Sequence, residues 1–354
     1  MTKRPPSNVT MHQVAAAAGV SHQTVSRVLN NSPNVSVKAL ARVEEAMREL
    51  GYSPSIAARQ MGGSKSFLLL ALNDRDRTVE SWRLREGADW VDQMLLGGML
   101  TCAEYGYRMM FELVDTHGDN IERELKSALS AIRPDGVILT PPHSDNRTIL
   151  DLLAAEGIRC ARIGGYSNIG GFIIRMDDRL AADQMVEHLA DLGHKRIGFI
   201  GGSDDYMLSG ERLAGFQRGL VRFGLEQDSL LIQTGDFGYQ SGERAARFLL
   251  DLSTPPTAII ASSDAIARAT VAVAGARGLA LPRDLSVVSF DDTPTARLNV
   301  PPLTAVSQPI AAMTARAAEL LIDPAGALAL AARTHPHIIP FELIIRQSSG
   351  ALRR

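Results

Sequence analysis

The sequence predicts an α/β protein: a small all-α headpiece at the N-terminus, followed by doubly wound parallel sheets. Three observations predict it. Short apolar runs alternate with helical segments from Phe67 onward, the pattern of parallel sheets with covered faces. Residues 10–50 break into three short helices, the first two joined by a tight glycine turn, which reads as a helix-turn-helix. The formal net charge of -2 conceals +5 over residues 1–66 and -7 over the rest. A basic head on an acidic body suits a polyanion-binding module joined to something that should not adhere to polyanions. At 354 residues the chain exceeds one compact core, so two or three folded units are expected.

In the headpiece, Thr10 is the expected N-cap of "MHQVAAAA" and Gly19 its left-handed stop. Ser21 caps "HQTVSRVLN", and Ser36 and Gly51 bound the third helix. Val25, Val28 and Leu29 stand at i, i+3 and i+4 and share a buried face. Val14, Ala15, Ala18, Val43, Met47 and Leu50 are expected to complete a small core. The opposite face carries His22, Gln23, Ser26, Arg27 and Asn30, with no acid. An amide, a guanidinium fork and an imidazole suit base edges in a major groove and the flanking phosphates. After the third helix, "SPSIAARQM" is far shorter than the roughly 12–15 residues an isolated helix needs, so it should order only on a partner. Its unpaired apolar Met61 has the character of a minor-groove wedge.

"VTMHQVAAAAGVSHQTVSRVLNNSPNVSVKALARVEEAMRELGYSPSIAARQMGG" resembles the headpiece and hinge of the lactose-repressor/galactose-repressor (LacI/GalR) family of bacterial transcription regulators. "LADLGHKRIGFIGG", "ERLAGFQRGL", "IIASSDAIARATVAVAGARGLALPRDLSVVSFDD" and "PPLTAVSQP" resemble that family's effector-domain signatures in their usual order. The resemblance implies that His22, Gln23 and Arg27 read bases. It places Thr10, Ser21, Ser26, Asn30, Asn34, Ser36 and Tyr52 mainly at backbone-contacting positions, and Ala58 and Met61 in a hinge helix that enters the minor groove. The family usually has leucine where this chain has Met61, so insertion would be less rigid. The implied layout is a headpiece at 8–53, a hinge helix and linker at 54–66, and an effector-binding and dimerisation domain at 67–346, with a tail at 347–354. Two lobes like those of a periplasmic sugar-binding protein are implied, the first about 67–174 and 307–332, the second about 175–306 and 333–346. The chain would cross between them near Ile174, Ser307 and Ala332.

The strands expected in the body are FLLLALN, YRMMFELV, DGVILT, IRCARIG, GFIIRM, RIGFIGG, LLIQTG, AIIASS and LSVVSF. Ligands of open parallel sheets bind beyond the carboxyl ends of the strands. Asn73 and Asp74, Arg212, Asp264 and Asp291 fall there. Carboxylates and a guanidinium converging on a cleft suit the paired hydroxyls of a sugar. By resemblance, Arg212 and Asp291 contact sugar hydroxyls, Phe237 is an aromatic platform, and Ser263 stands where several relatives have asparagine; Trp90, in "ADWVDQML", is either a lobe-closing aromatic or core packing. Asp177 is expected to cap the helix after GFIIRM, with ligand contact the alternative.

Catalytic readings fare poorly: there is no phosphate loop, nucleophile elbow or metal-ligand spacing. "GGYSNIGG" lacks the dinucleotide-binding spacing, and His188 and His194 lack a partnered nucleophile. No cofactor and no metal are expected. Cys102 and Cys160 suit a reduced core. "MTKRPPSNVT" lacks a signal-peptide core, which with the basic head argues for the cytoplasm over export. The expected function is a homodimeric repressor of carbohydrate-utilisation genes, bound to a near-palindromic operator and controlled by a sugar, mono- or oligosaccharide. The alternative is a nucleobase- or other metabolite-responsive co-repressed regulator of the same fold.

Overall fold

The computed structural model describes residues 9–29, 34–52, 65–84, 89–118, 120–323 and 336–352. It divides into two compact units, one of residues up to Leu68 with Arg133–Asp135, the other of the rest. In the first, helices α1 (Met11–Ala18), α2 (His22–Leu29) and α3 (Val37–Leu50) surround a core of Val14, Ala15, Ala18, Val25, Val28, Val43 and Ala46. Leu29 and Met47 pack against it partly buried. Leu50 is exposed; Ala46, one turn earlier on α3, takes the place expected for it.

The second unit holds two six-stranded sheets, each with its own helices. Strands β1 (Leu68–Asp74), β2 (Arg108–Val114), β3 (Gly136–Leu139), β4 (Cys160–Ile163), β5 (Phe172–Arg175) and β11 (His337–Ile338) form the first, in the order β11-β5-β4-β3-β1-β2. Strands β6 (Ile197–Ile200), β7 (Ile232–Gln233), β8 (Ala258–Ala261), β9 (Ser286–Asp291), β10 (Thr304–Ser307) and β12 (Glu342–Ile344) form the second, in the order β12-β10-β9-β8-β6-β7. All nine expected strands are present. The other three sit where the chain changes sheet. The chain leaves the first sheet after β5 and returns after β10, when helix α13 (Ile310–Ile322) packs on β3, β4 and β5. Ala332 lies outside the described residues. Because His337 and Ile338 pair parallel with Ile174 and Arg175, the final crossing falls between Ile338 and Glu342, and the start of the segment expected in the second lobe belongs to the first. A two-residue strand is too short to show a period of its own.

Glycines set how closely helices approach. Helix α5 (Asp89–Glu104) packs on α13, where a Cβ at Gly97 would come 2.0 Å from the Ala311 carbonyl oxygen. That buries Met94 and Cys102 on the inner face and leaves Leu96, Met99 and Leu100 on the outer one, 49–59% exposed. Cys102 and Cys160 are free and buried, and burial pushes both thiols up to about 11.

The segment from 347 is not a tail. Ser348 is fully buried, its Oγ accepting from the Thr304 N–H (2.8 Å) and its carbonyl from the Val287 N–H (2.9 Å). His194 and His188 hold the same segment. The first lies 3.0 Å from Ser286 Oγ and 3.2 Å from the Gly350 carbonyl, the second 2.9 Å from Ser349 Oγ. Burial lowers both imidazoles, which makes them neutral packing groups.

Gly97→Ala should cost about 1–3 kcal/mol by forcing α5 off α13, lowering the urea midpoint of unfolding. An unchanged midpoint would mean that the two helices do not meet at this glycine.

Candidate DNA-reading face and ligand cleft

Each headpiece helix begins on a side-chain cap. Thr10 and Gln13 form a capping box: the Gln13 N–H points to Thr10 Oγ1 (3.4 Å) and the Thr10 N–H donates to Gln13 Oε1 (2.7 Å). Ser21 Oγ accepts from the Thr24 N–H (3.1 Å), and Ser36 Oγ from the Ala39 N–H (3.2 Å). These residues therefore place three helix N-termini, the natural sites for phosphate oxygens. The turn between α1 and α2 is closed by Gly19, at φ +60°, and by Arg42, whose Nη2 donates to the Gly19 carbonyl at 3.2 Å. On α2, burying Val25 and Val28 leaves His22, Gln23 and Arg27 exposed and Ser26 half-buried. Asn34 is exposed and Tyr52 half-buried against the core. The His22 ring is stacked on His12 of α1, 4.5 Å between centroids at 29°. Asn30, Ala58 and Met61, and with them the hinge, lie outside the described residues.

In the second unit, Asp74, Trp90, Arg212, Phe237, Ser263, Asp264 and Asp291 all line one cleft, open to solvent, with an empty volume of about 1120 Å³. Its walls come from both sheets. Asp74 ends β1, and its Oδ1 accepts from the Arg77 N–H (2.9 Å), starting helix α4 (Arg75–Leu84). Thr116 gives its one hydroxyl proton to Asp74 Oδ2 and lies 2.7 Å from Nε2 of the buried His143, so that nitrogen must carry the proton. Burial lowers His143 below the ordinary imidazole value and keeps it neutral.

Asp291 ends β9 with φ +102° and Asp292 follows at +59°. Two successive left-handed residues are costly for anything but glycine, and such strain persists where surrounding bonds impose it. Here Asp292 is paired with Arg346 at 2.6 Å, and Asp291 accepts from Gln308 Nε2 and from the Asp264 N–H (3.2 Å). Asp264 opens helix α11 (Asp264–Ala276) and accepts from Ser289 Oγ (2.5 Å) and from the N–H and Oγ1 of Thr293 (2.7 Å each). Desolvation raises both carboxyls, with the Asp291 charge a further cause at Asp264; the Arg212 charge opposes the rise at Asp291.

Arg212 lies on helix α9 (Met207–Arg222), its side chain 2% exposed. Its Nε donates to Asp178 Oδ1 and its Nη1 to the Ser262 carbonyl, both at 2.8 Å, and its guanidinium lies 4.0 Å over the Phe290 ring. Phe237, at φ +66°, is held by Ser263 Oγ donating to its carbonyl (2.7 Å), and Tyr206 meets its ring edge-on at 5.3 Å. Only glycine fits at 202, where a Cβ would lie 1.9 Å from the Phe237 ring. Ser263 also caps α11, so its hydroxyl is structural on both counts. Asp177 caps helix α8 (Asp178–Asp191) as expected, while its neighbour Asp178 holds Arg212.

Sequence reasoning missed Arg77, Tyr206, Arg268 and Gln308, which line the same cleft. Extending the strand-end rule by one turn of α4 finds Arg77, and applying it to the loop after β6 finds Tyr206. Gln308 was hidden because β10 was not read as a strand. Among the described residues no group of three or more His, Cys, Asp or Glu side chains could hold a metal, and no helix is long and apolar enough to cross a membrane.

A helix-turn-helix unit with an acid-free reading face, joined to two parallel-sheet lobes around a polar cleft, defines the class of ligand-binding DNA-binding regulators. Residues 10–55 match the model of bacterial regulatory proteins of the lacI family, and residues 186–349 match a periplasmic binding protein-like domain. The chain is 33% identical over 318 residues to the HTH-type transcriptional regulator CelR of Thermobifida fusca, covering 89% of this chain and 91% of that one. The solved complex of transcriptional regulator CelR with cellobiose aligns at TM-score 0.70 and 29% identity, over 96% of this chain and 99% of the other. The lac repressor dimer bound to operator and the anti-inducer ONPF aligns at TM-score 0.74 and 26% identity, over 98% of this chain and 100% of the other. The chain belongs to the lacI family of bacterial regulatory proteins. It is a DNA-binding transcription regulator and not an enzyme.

Because Asp264 and Asp291 have raised pKa values in the fold, the native state holds more protons than the unfolded chain above the ordinary aspartate value near 4. Their contribution to stability therefore falls as pH rises through that window. The melting temperature of Asp264→Asn minus that of the wild type should climb between pH 4 and pH 7, read by calorimetry; a flat difference would mean that the pair ionises normally.

Proposed function

We propose that this regulator is a homodimeric repressor of carbohydrate-utilisation genes, acting in the cytoplasm where its operator lies, with operator affinity controlled by a sugar in the cleft. The observation that carries the reading is the convergence of Asp74, Asp264, Asp291 and Arg212 beside the Phe237–Tyr206 pair in one cleft. Carboxylates accept from sugar hydroxyls, the guanidinium donates to them, and an aromatic shelf takes the apolar face of a pyranose ring. Cellobiose in the CelR complex makes that disaccharide the first candidate. The solvent-facing Leu96, Met99 and Leu100 of α5 supply an apolar strip for the partner subunit, and the operator-bound lac repressor dimer supports two-fold pairing. Two headpieces then place His22, Gln23 and Arg27 in successive half-sites of a near-palindrome, with Ala58 and Met61 of the hinge at its centre.

The direct test is a sugar screen, cellobiose first, against binding to DNA from upstream of the protein's own gene. Release or tightening by one sugar at unchanged sugar composition supports the reading; indifference to every sugar overturns it. Gln23→Ala should weaken operator binding by roughly 1–3 kcal/mol and relax preference at one base position. Equal weakening on all DNA sequences, measured by a base-substitution series, contradicts base readout. Asp291→Asn should weaken sugar binding about 10- to 100-fold while sparing operator affinity. It is a cleaner probe than Arg212→Ala, which would leave the buried Asp178 unpaired. If the sugar response survives Asp291→Asn intact, the cleft assignment fails.

A further inference from the structure

Arg77, one of the cleft side chains absent from the sequence reading, spans the two lobes. It stands in the first turn of α4, on the first lobe, its backbone fixed by Asp74. Its Nη1 donates to the Asp236 carbonyl of the second lobe. Its guanidinium lies 5.0 Å from the Phe237 ring centroid and 5.6 Å from that of Tyr206. The receiving side is rigid: Asp236 is held by Ser241 and Gly238, and Phe237 by Ser263 and the space at Gly202. A planar guanidinium on an aromatic face with a charged-donor hydrogen bond is a strong pairing for its size. It covers the aromatic surface that a ligand ring would use.

We propose that Arg77 is an internal ligand of the cleft: without effector it latches the first lobe to the second through the Phe237–Tyr206 shelf, and an effector seated on that shelf must evict it. The latch is a specificity determinant as well as a strap. Ligand affinity is reduced by the share of molecules whose shelf is already covered. Ligands that offer a ring face for the shelf displace the guanidinium and bind weaker by that loss. Three-carbon polyols, with no ring to offer, cannot open it.

The test uses the full-length protein and two readouts. Trp82 and Trp90 are its only tryptophans, and Trp82, on the outer side of α4, is exposed while Trp90 lines the cleft. In a Trp82→Phe background without ligand, Arg77→Ala should raise the acrylamide quenching constant of Trp90 about twofold. Arg77→Lys, which keeps the charge but not the plane, should fall between. Unchanged quenching in Arg77→Ala overturns the latch. The second readout rests on the sugar reading above: in calorimetric titration with cellobiose, Arg77→Ala should bind about tenfold tighter than the wild type. Weaker binding makes Arg77 an ordinary ligand contact and overturns the proposal. Raised quenching with no cellobiose binding by either protein upholds the latch and removes cellobiose as the effector, so the two readings fail separately.

Discussion

A guanidinium that is 2% exposed governs how this body is built. Arg212 cannot be left unpaired where it lies, because a buried charge without compensation costs several kcal/mol. Its partners come from three places: Asp178 at the start of α8, the Ser262 carbonyl beyond β8 and the Phe290 ring of β9. Asp178 extends the chain into the first lobe, since its Oδ2 accepts from the Tyr166 hydroxyl at 2.8 Å. Tyr166 is in turn placed by a second fully buried arginine. Arg162 binds Asp145 at 2.6 Å and the Ser144, Ser167 and Gly170 carbonyls, and Asp145 accepts from the Tyr166 N–H. The glycine-rich "GGYSNIGG" is therefore a wrap around Arg162, with Gly164 and Gly171 at positive φ, and not a nucleotide loop. The two buried cations are thus linked through Asp145, Tyr166 and Asp178, a chain that runs from the first lobe into the second.

The rest of the cleft follows from what happens at strand ends. Parallel strands leave their carboxyl ends unfinished, and the next helix starts with N–H groups that need acceptors. Asp74 meets that need for α4 and Ser263 meets it for α11, both standing in the cleft. Cleft-lining carboxylates are thus also structural, and the left-handed backbone at Asp291 and Asp292 is held by Gln308 and Arg346.

How much of this was legible depended on whether a signal repeats. Val25, Val28 and Leu29 announce a buried stripe because helical periodicity recurs, and the nine strands show as apolar runs between turn residues. All eight cleft residues named from sequence, Asn73 among them, converge because a strand end or the family resemblance marks each. Three features were not legible for a common reason: they depend on one contact with a distant segment. The two-residue β11 exists only by pairing with Ile174 and Arg175. Ser348 is buried by Val287 and Thr304 and Gly350 is held by Ser286, so no local pattern separates them from a tail. Arg77 looks like one more charge in "NDRDRTVE" until the second lobe brings Asp236 and Phe237 to it.

Gln308 connects the site to the chain crossing. It follows β10 directly, in the segment that leads from the second sheet to α13 on the first, and its amide donates to Asp291 Oδ1. A ligand hydroxyl that reaches Asp291 competes with that amide, so binding acts on the covalent link between lobes as well as on their facing surfaces. A ligand shifts a conformational equilibrium only by its difference in affinity for the two states, and couplings of this kind amount to about 1–3 kcal/mol. That is the scale of one charged hydrogen bond. Exchanging the Gln308–Asp291 bond for a ligand contact is therefore sufficient in energy to distinguish two lobe arrangements, without any repacking of the cores on either side.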